Sequence, residues 1–296
     1  MKGKLKYNLL LMLAALIWGG AFVAQSVGMD YTGPYTFNVM RSFLGSLVLL
    51  PVIFFLDKKK SEEEKERADK KVLIKGGICC GIILTISTTF QQIGLLHTTA
   101  GKAGFITALY ILIVPILGIF LGKKAGIKVW ISVVLALGGM YLLCVTSEFT
   151  IAFGDLMVLA CAFVFSLHIL AVDHFSPMVD GVKLSCIQFF VCGTLSSFPM
   201  FLLEHPQLGQ ILDAWLPIAY AGILSSGVAY TLQIITQKHL NPTVASLLMS
   251  LESVFAALTG WLVLHERLSA RELLGCVLVF VAIILSQLPE KAKGMK

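Results

Sequence analysis

Glu252 is a carboxylate at the centre of "TVASLLMSLESVFAALTGWLVL", a run from Thr243 to Leu264 that is otherwise uncharged. In the middle of a hydrocarbon layer such a group costs roughly 2.5 to 3.5 kcal/mol unless protein, water or a partner meets it. Its retention there points to exchange of a proton or capture of a cationic substrate group; the structural alternative is a tether to its own span or to Arg41. Arg41 lies about seven residues into another apolar segment, roughly 10 Å from its end. It can attract an anionic substrate group, pair with a carboxylate or snorkel outward, and the structural role is the preferred reading. Trp18, Tyr110, Tyr230 and His168 carry rings able to wall a cavity and stack on a planar or cationic ligand, although rings in spans also serve as packing or interface anchors. Gln91, Gln92 and Gln233 carry amides that need partners or a ligand once buried. Ser250 shares a helix face with Glu252. The candidate substrate-binding set is therefore Glu252, Tyr110, Trp18, Gln92, Gln233, Tyr230, Arg41 and Ser250.

No catalytic residue, metal ligand or cofactor site is expected. HExxH, GxSxG and GxxxxGK[ST] are absent, and the histidines lie at loops or span ends. The seven cysteines all fall in apolar runs without metal-binding spacing and read as small core residues. "HER" at His265 to Arg267 reads as helix termination and loop charge pairing.

The elements that hold these residues are set by composition. The chain is 57% hydrophobic and 14% charged, with mean hydropathy +0.87, which excludes a soluble globular domain and indicates a polytopic membrane protein. The net charge of +6 is scattered between apolar runs rather than gathered on one face, so no nucleic-acid partner is expected. Segments of spanning length number about ten, centred near Ile17, Gly45, Leu84, Leu112, Leu137, Leu159, Val191, Gly227, Phe255 and Val279. The first, Tyr7 to Val27, lacks a cleavage signal and is expected to remain as span one. Most of the 23 basic residues fall on the side of the amino terminus, which predicts a plasma-membrane protein with both termini cytoplasmic. The charged segment 57–71 reads as a solvated cytoplasmic loop. Pro115 is expected to kink span four and free the carbonyl of Ile111. GxxxG spacing at Gly77 and Gly81, and at Gly118 and Gly122, fits internal packing better than dimer contacts, with monomer and homodimer both open.

A shift of 142 residues lays His97 on His239, Ala103 on Ala245, Leu109 on Leu251, Gly118 on Gly260, and Gln92 near Gln233. A slightly larger shift places "IWGGAF" at Ile17 over "VFSLHI" at Val164. The chain divides into halves 1–147 and 148–296 of five spans each, and an odd number of spans forces tandem copies to insert in opposite senses. The expected fold is an all-α membrane protein of ten transmembrane helices in two inverted five-helix repeats. A pseudo-two-fold axis in the membrane plane then brings matched positions together at mid-depth, where Tyr110 is the equivalent of Glu252. On a helical projection of span nine, Ala245, Ser246, Ser250, Glu252 and Ser253 share the face turned to the other half. Leu247, Leu248, Leu251, Val254 and Trp261 are expected toward lipid; span four divides likewise, with Phe105, Ile106 and Leu109 outward.

"MSLESVFAALTGWLVLHERLSARELLGCVLVFVAIIL" and the opening "AALIWGGAF" resemble the corresponding motifs of EamA-type proteins in the drug/metabolite transporter superfamily. The likeness covers nearly the whole chain and carries Glu252, Glu266, Trp18 and Gly19 onto motif positions. Ser253 stands where that family usually has Pro, and Phe165 and Ser166 where the second half often has Trp-Ala. The resemblance implies a secondary carrier working by alternating access on a small organic metabolite such as an amino acid, nucleobase or drug-like compound, with proton coupling open. Its expected partners are that substrate and membrane lipids. A channel or a membrane-embedded enzyme is the alternative, but no filter sequence or catalytic cluster supports either.

Overall fold

Inside a bilayer a backbone amide finds no water, so a spanning segment must satisfy its own hydrogen bonds as a helix or within a closed barrel. The computed structural model, which describes residues 2–59, 69–123, 126–144, 152–263 and 269–287, takes the helical solution, with no strand among the described residues. The first half runs through α1 (Lys2–Gly28), α2 (Pro34–Lys59), α3 (Lys70–Leu95), α4 (Ala100–Thr107), α5 (Tyr110–Phe120) and α6 (Ile127–Cys144). The second runs through α7 (Phe153–Phe175), α8 (Gly181–Leu203), the short α9 (Leu208–Asp213) and α10 (Trp215–Ala219), the π-helical α11 (Tyr220–Ala229), α12 (Tyr230–Gln237), α13 (Pro242–Met249), α14 (Leu251–Val263) and α15 (Ala270–Gln287). Among the described residues, eight continuous or segmented helices are long and apolar enough to cross a membrane. Two shorter apolar helices, Ile127–Leu142 and Leu273–Ser286, occupy the fifth and tenth places. Most of segment 57–71, the triplet at 265–267 and Lys296 lie outside the described residues.

Packing pairs come in exchanged sets. α1 packs on α14 as α7 does on α5; α3 packs on α7 as α11 and α12 do on α1; α3 packs on α8 as α11 does on α2. Two pairs, α2 with α8 and α6 with α15, map onto themselves. This is the pattern a two-fold relation between five-helix units produces. Close approach depends on small residues: a Cβ on Gly19 would lie 2.8 Å from the backbone nitrogen of Ala256, and one on Gly139 would lie 2.7 Å from the carbonyl oxygen of Gly275. Gly77 and Gly81 face Ile187 and Val191 of α8, which is internal packing. Gly122 has φ of 72° and ends α5, where its successor Lys123 donates to the Gly118 carbonyl at 2.9 Å.

Two expectations are corrected. Span four breaks at Ala108 and Leu109, between α4 and α5, whereas Pro115 lies inside α5. Span nine breaks at Ser250, and its first segment ends at Met249, 142 residues after the end of α4 at Thr107. The bulky face of span nine is also buried rather than lipid-exposed: Leu247, Leu251 and Val254 are fully buried and Leu248 nearly so, and among its described residues only Trp261 and Leu262 near its end are exposed. Phe105 and Ile106 of span four are buried likewise. The reason is that α4, α5, α13 and α14 lie between the central α1 and α7 and the outer pair α6 and α15, so leucines here pack on helices where a peripheral span would meet acyl chains.

Candidate substrate site

The two helix breaks place the central pair. Tyr110 is the first residue of α5 and Glu252 lies in the first turn of α14, where the amide-bearing end of a half-helix favours negative charge. The Tyr110 hydroxyl donates to Glu252 Oε1 at 2.9 Å across 142 positions of chain. The two residues that the repeat makes equivalent therefore touch. The same holds for Trp18 and Phe165, whose ring centroids are 6.3 Å apart, and for Phe43 and Phe190, at 6.0 Å.

Around this axis lies a cavity of about 20 Å³, enough for about one water molecule. One wall is the stripe Trp18, Ala21, Phe22 and Gln25 of α1, spaced i, i+3, i+4, i+7 on a single helix face. Arg41 comes from α2, Ser87, Thr88 and Gln91 from α3, Thr107 from α4, Phe165 from α7, Ser225 from the π-helical α11, Tyr230 from α12 and Glu252 from α14. Glu252 is 4% exposed, so its carboxylate points inward. Arg41, equally buried, donates from Nη1 to Gln25 Oε1 at 2.6 Å and stands 5.9 Å from the centre of the Phe37 ring. Its Nη2 and the Trp18 indole Nε1 have no hydrogen-bond partner. No ion pair joins Arg41 to Glu252 or to any other carboxylate among the described residues, so the tether between those two residues is not formed. Trp18 and Tyr230 meet edge to face at 4.9 Å and close the aromatic side.

Of the predicted residues, Glu252, Trp18, Tyr230 and Arg41 line the cavity, and Tyr110 reaches it through Glu252. Gln92, Gln233 and Ser250 do not. Gln92 is turned to Met29, with Nε2 3.5 Å from Sδ; Gln233 donates to Gln237 at 2.8 Å; Ser250 donates to the Leu247 carbonyl at 2.8 Å. Gln91 takes the wall position instead of Gln92. Gln25, Ser87, Thr88, Thr107, Phe165 and Ser225 were not in the predicted set. Gln25 was legible as the polar end of the Trp18 stripe, whereas Ser225 depends on the π-helical register, which no spacing rule reveals.

Contacts between the two halves lie at both ends of the helix bundle. At one face Asp155 accepts from Lys102 Nζ at 2.6 Å, Thr98 Oγ1 at 2.9 Å and the Ala152 amide at 2.8 Å, and His97 packs edge-on to Phe153. There too Glu204 caps α2, accepting from the amides of Tyr35 at 2.9 Å and Thr36 at 2.8 Å. At the face of the amino terminus, His239 stacks on Tyr7 at 3.9 Å and Lys183 pairs with Asp57 at 2.7 Å. Lys123 pairs with Asp173 at the same face. His97 and His239 are equivalents under the 142-residue shift; Asp57 and Glu204 are equivalents under a shift of 147 residues, as are Thr36 and Lys183.

The sequence profile of the EamA-like transporter family matches the chain twice, over residues 5–145 and 152–288. An uncharacterized transporter of Archaeoglobus fulgidus is 32% identical over 287 residues, which covers 96% of this chain and 87% of that protein. The uncharacterized transporter YoaV of Bacillus subtilis is 22% identical, with 95% and 96% covered. A WAT1-related chloroplastic protein of Arabidopsis thaliana is 27% identical over 92% of this chain and 67% of its own length. A solved crystal structure with 18% identity superposes with a TM-score of 0.78 over 95% of this chain and 96% of its own, a likeness of fold. With its apolar helices and two matches to the family profile, this integral membrane chain belongs to the EamA-like transporter family.

Proposed function

We propose that this transporter is a secondary carrier that moves a small amphoteric metabolite, such as a neutral amino acid, by alternating access between two inverted halves, 1–147 and 148–296. The observation that carries this reading is one cavity lined by both a guanidinium whose Nη2 has no partner and a carboxylate, Arg41 and Glu252, beside aromatic walls. A substrate carboxylate accepts from Arg41 Nη2 and Trp18 Nε1. Its ammonium meets Glu252, and its side group lies against Trp18, Tyr230 and Phe165. A proton taken up by Glu252 when the ammonium leaves would couple the cycle to proton movement. The cavity in its closed form is too small for such a substrate, so loading requires one set of face contacts to open while the other stays shut. The lysine bias supports a cytoplasmic side for both termini, and the membrane is taken to be the plasma membrane.

Thermal stabilisation of the purified protein by neutral amino acids, nucleobases, polyamines and quaternary amines, followed by counterflow of each stabilising compound in proteoliposomes, tests the reading. Stabilisation and counterflow by zwitterions are expected, with both weakened in Arg41→Leu. Selective stabilisation by polyamines or quaternary amines, which have no carboxylate for Arg41, would overturn it.

A further inference from the structure

The buried pair His168 and Gln188 belongs to neither the cavity wall nor a closing contact. Both residues are fully buried, and His168 Nε2 lies 3.0 Å from Gln188 Oε1. His168 Nδ1 and Gln188 Nε2 have no partner. A buried donor or acceptor left unmet costs about 1 to 3 kcal/mol, so a core pair kept only for packing is a poor use of these residue types. Their place relative to the cavity is informative. The His168 ring stacks on Phe165 at 5.5 Å and stands edge-on to Tyr230 at 6.0 Å. Both of those rings wall the Arg41 cavity, so the pair sits directly behind its aromatic side.

The repeat gives the pair its counterpart. The 147-residue shift that carries the start of α2 at Pro34 onto the start of α8 at Gly181, and Trp18 onto Phe165, carries Arg41 onto Gln188 and Ala21 onto His168. Arg41 and Gln188 each lie seven residues into their helices, roughly 10 Å from opposite faces. With the proton of His168 on Nε2 and donated to Gln188 Oε1, Nδ1 is an acceptor and the Gln188 amide has free donors beside it.

We propose that His168 and Gln188 form a second station of the transport path, reached when the cavity opens toward the amino-terminal face, which takes the same ammonium-and-carboxylate headgroup as the Arg41 cavity. The Gln188 amide donates to the carboxylate and His168 Nδ1 accepts from the ammonium. Because Gln188 has no charge where Arg41 has one, the headgroup is held more weakly here than at the first station. This rests on the reading of the Arg41 cavity as the substrate site.

Two measurements test it. In membranes carrying the wild-type protein, diethylpyrocarbonate is expected to add its mass to His168 as well as to His97 and His239; protection of His168 while the other two react overturns the proposal. In proteoliposomes, counterflow of a radiolabelled mixture of neutral amino acids separates the two claims. Gln188→Leu is expected to raise the KM measured from the amino-terminal face and leave that from the opposite face unchanged, with Arg41→Leu doing the reverse. No counterflow in the wild type sinks the parent reading. Counterflow sensitive to Arg41→Leu but with unchanged KM at both faces in Gln188→Leu sinks the second station alone.

Discussion

The hydrogen bond from Tyr110 to Glu252 makes a sharp test because the two side chains hold each other inside the helix bundle. Tyr110→Phe removes the donor and leaves a buried carboxylate oxygen unmet, with an expected cost of about 1 to 3 kcal/mol, read as a lower Tm in detergent. Glu252→Gln should insert into the membrane at wild-type levels and abolish transport; normal uptake by that variant would discard the site. The double variant is expected to be less destabilised than the sum of the two, because its partners act as a unit. The nearness of the two was legible beforehand, since one shift of the chain makes them equivalents and equivalents at mid-helix lie near the axis; the hydrogen bond itself was not. The choice between Gln91 and Gln92 was not. Adjacent residues differ by about 100° around a helix, so a small uncertainty in helix rotation selects the wrong one.

At the scale of elements, the seams between helices are set by missing side chains. Gly19→Ala would put a methyl 2.8 Å from the Ala256 backbone nitrogen, where nothing can rotate away. About 1 to 3 kcal/mol of destabilisation is expected. Gly101→Ala, in α4 with open space around it, is the control and should leave Tm unchanged or slightly higher. The all-helical class and the order of the apolar helices followed from apolar run lengths. The breaks at Ala108–Leu109 and at Ser250 did not, because neither contains the proline or glycine that marks a break in sequence, while Pro115 does and is accommodated within α5. The π-helical turn over Tyr220–Ala229 was equally silent; within it Gly222 and Ser226 are small residues that let α2 approach closely. Burial of the leucines in span nine was misread for a related reason. Amphipathic patterning separates helix faces but does not say whether a second layer of helices covers the outer one.

For the whole molecule, the contacts at the two faces set the balance between conformations. Asp155 gathers three donors from different segments, one of them the quarter-exposed Lys102, so the ionic part is weakened by solvent and salt. Asp155→Asn is expected to bias the carrier toward opening at that face. A cysteine at Gln25, in a background without native cysteines, should then react faster with an impermeant thiosulfonate from that side and more slowly from the other. Equal acceleration from both sides would mean the contact holds the fold together without gating it. Tyr7→Ala, which removes the ring stacked on His239, should act in the opposite sense.

A chamber with room for about one water also dictates the order of events when solute arrives. Capture must wait for a rare spontaneous gape, so the observed rate of complex formation should climb with solute concentration and then level off at the gaping frequency. The measured dissociation constant will exceed the intrinsic one by the reciprocal of the receptive fraction. Any substitution that props one mouth ajar should therefore look, in an equilibrium titration, like a gain of affinity without a single new contact.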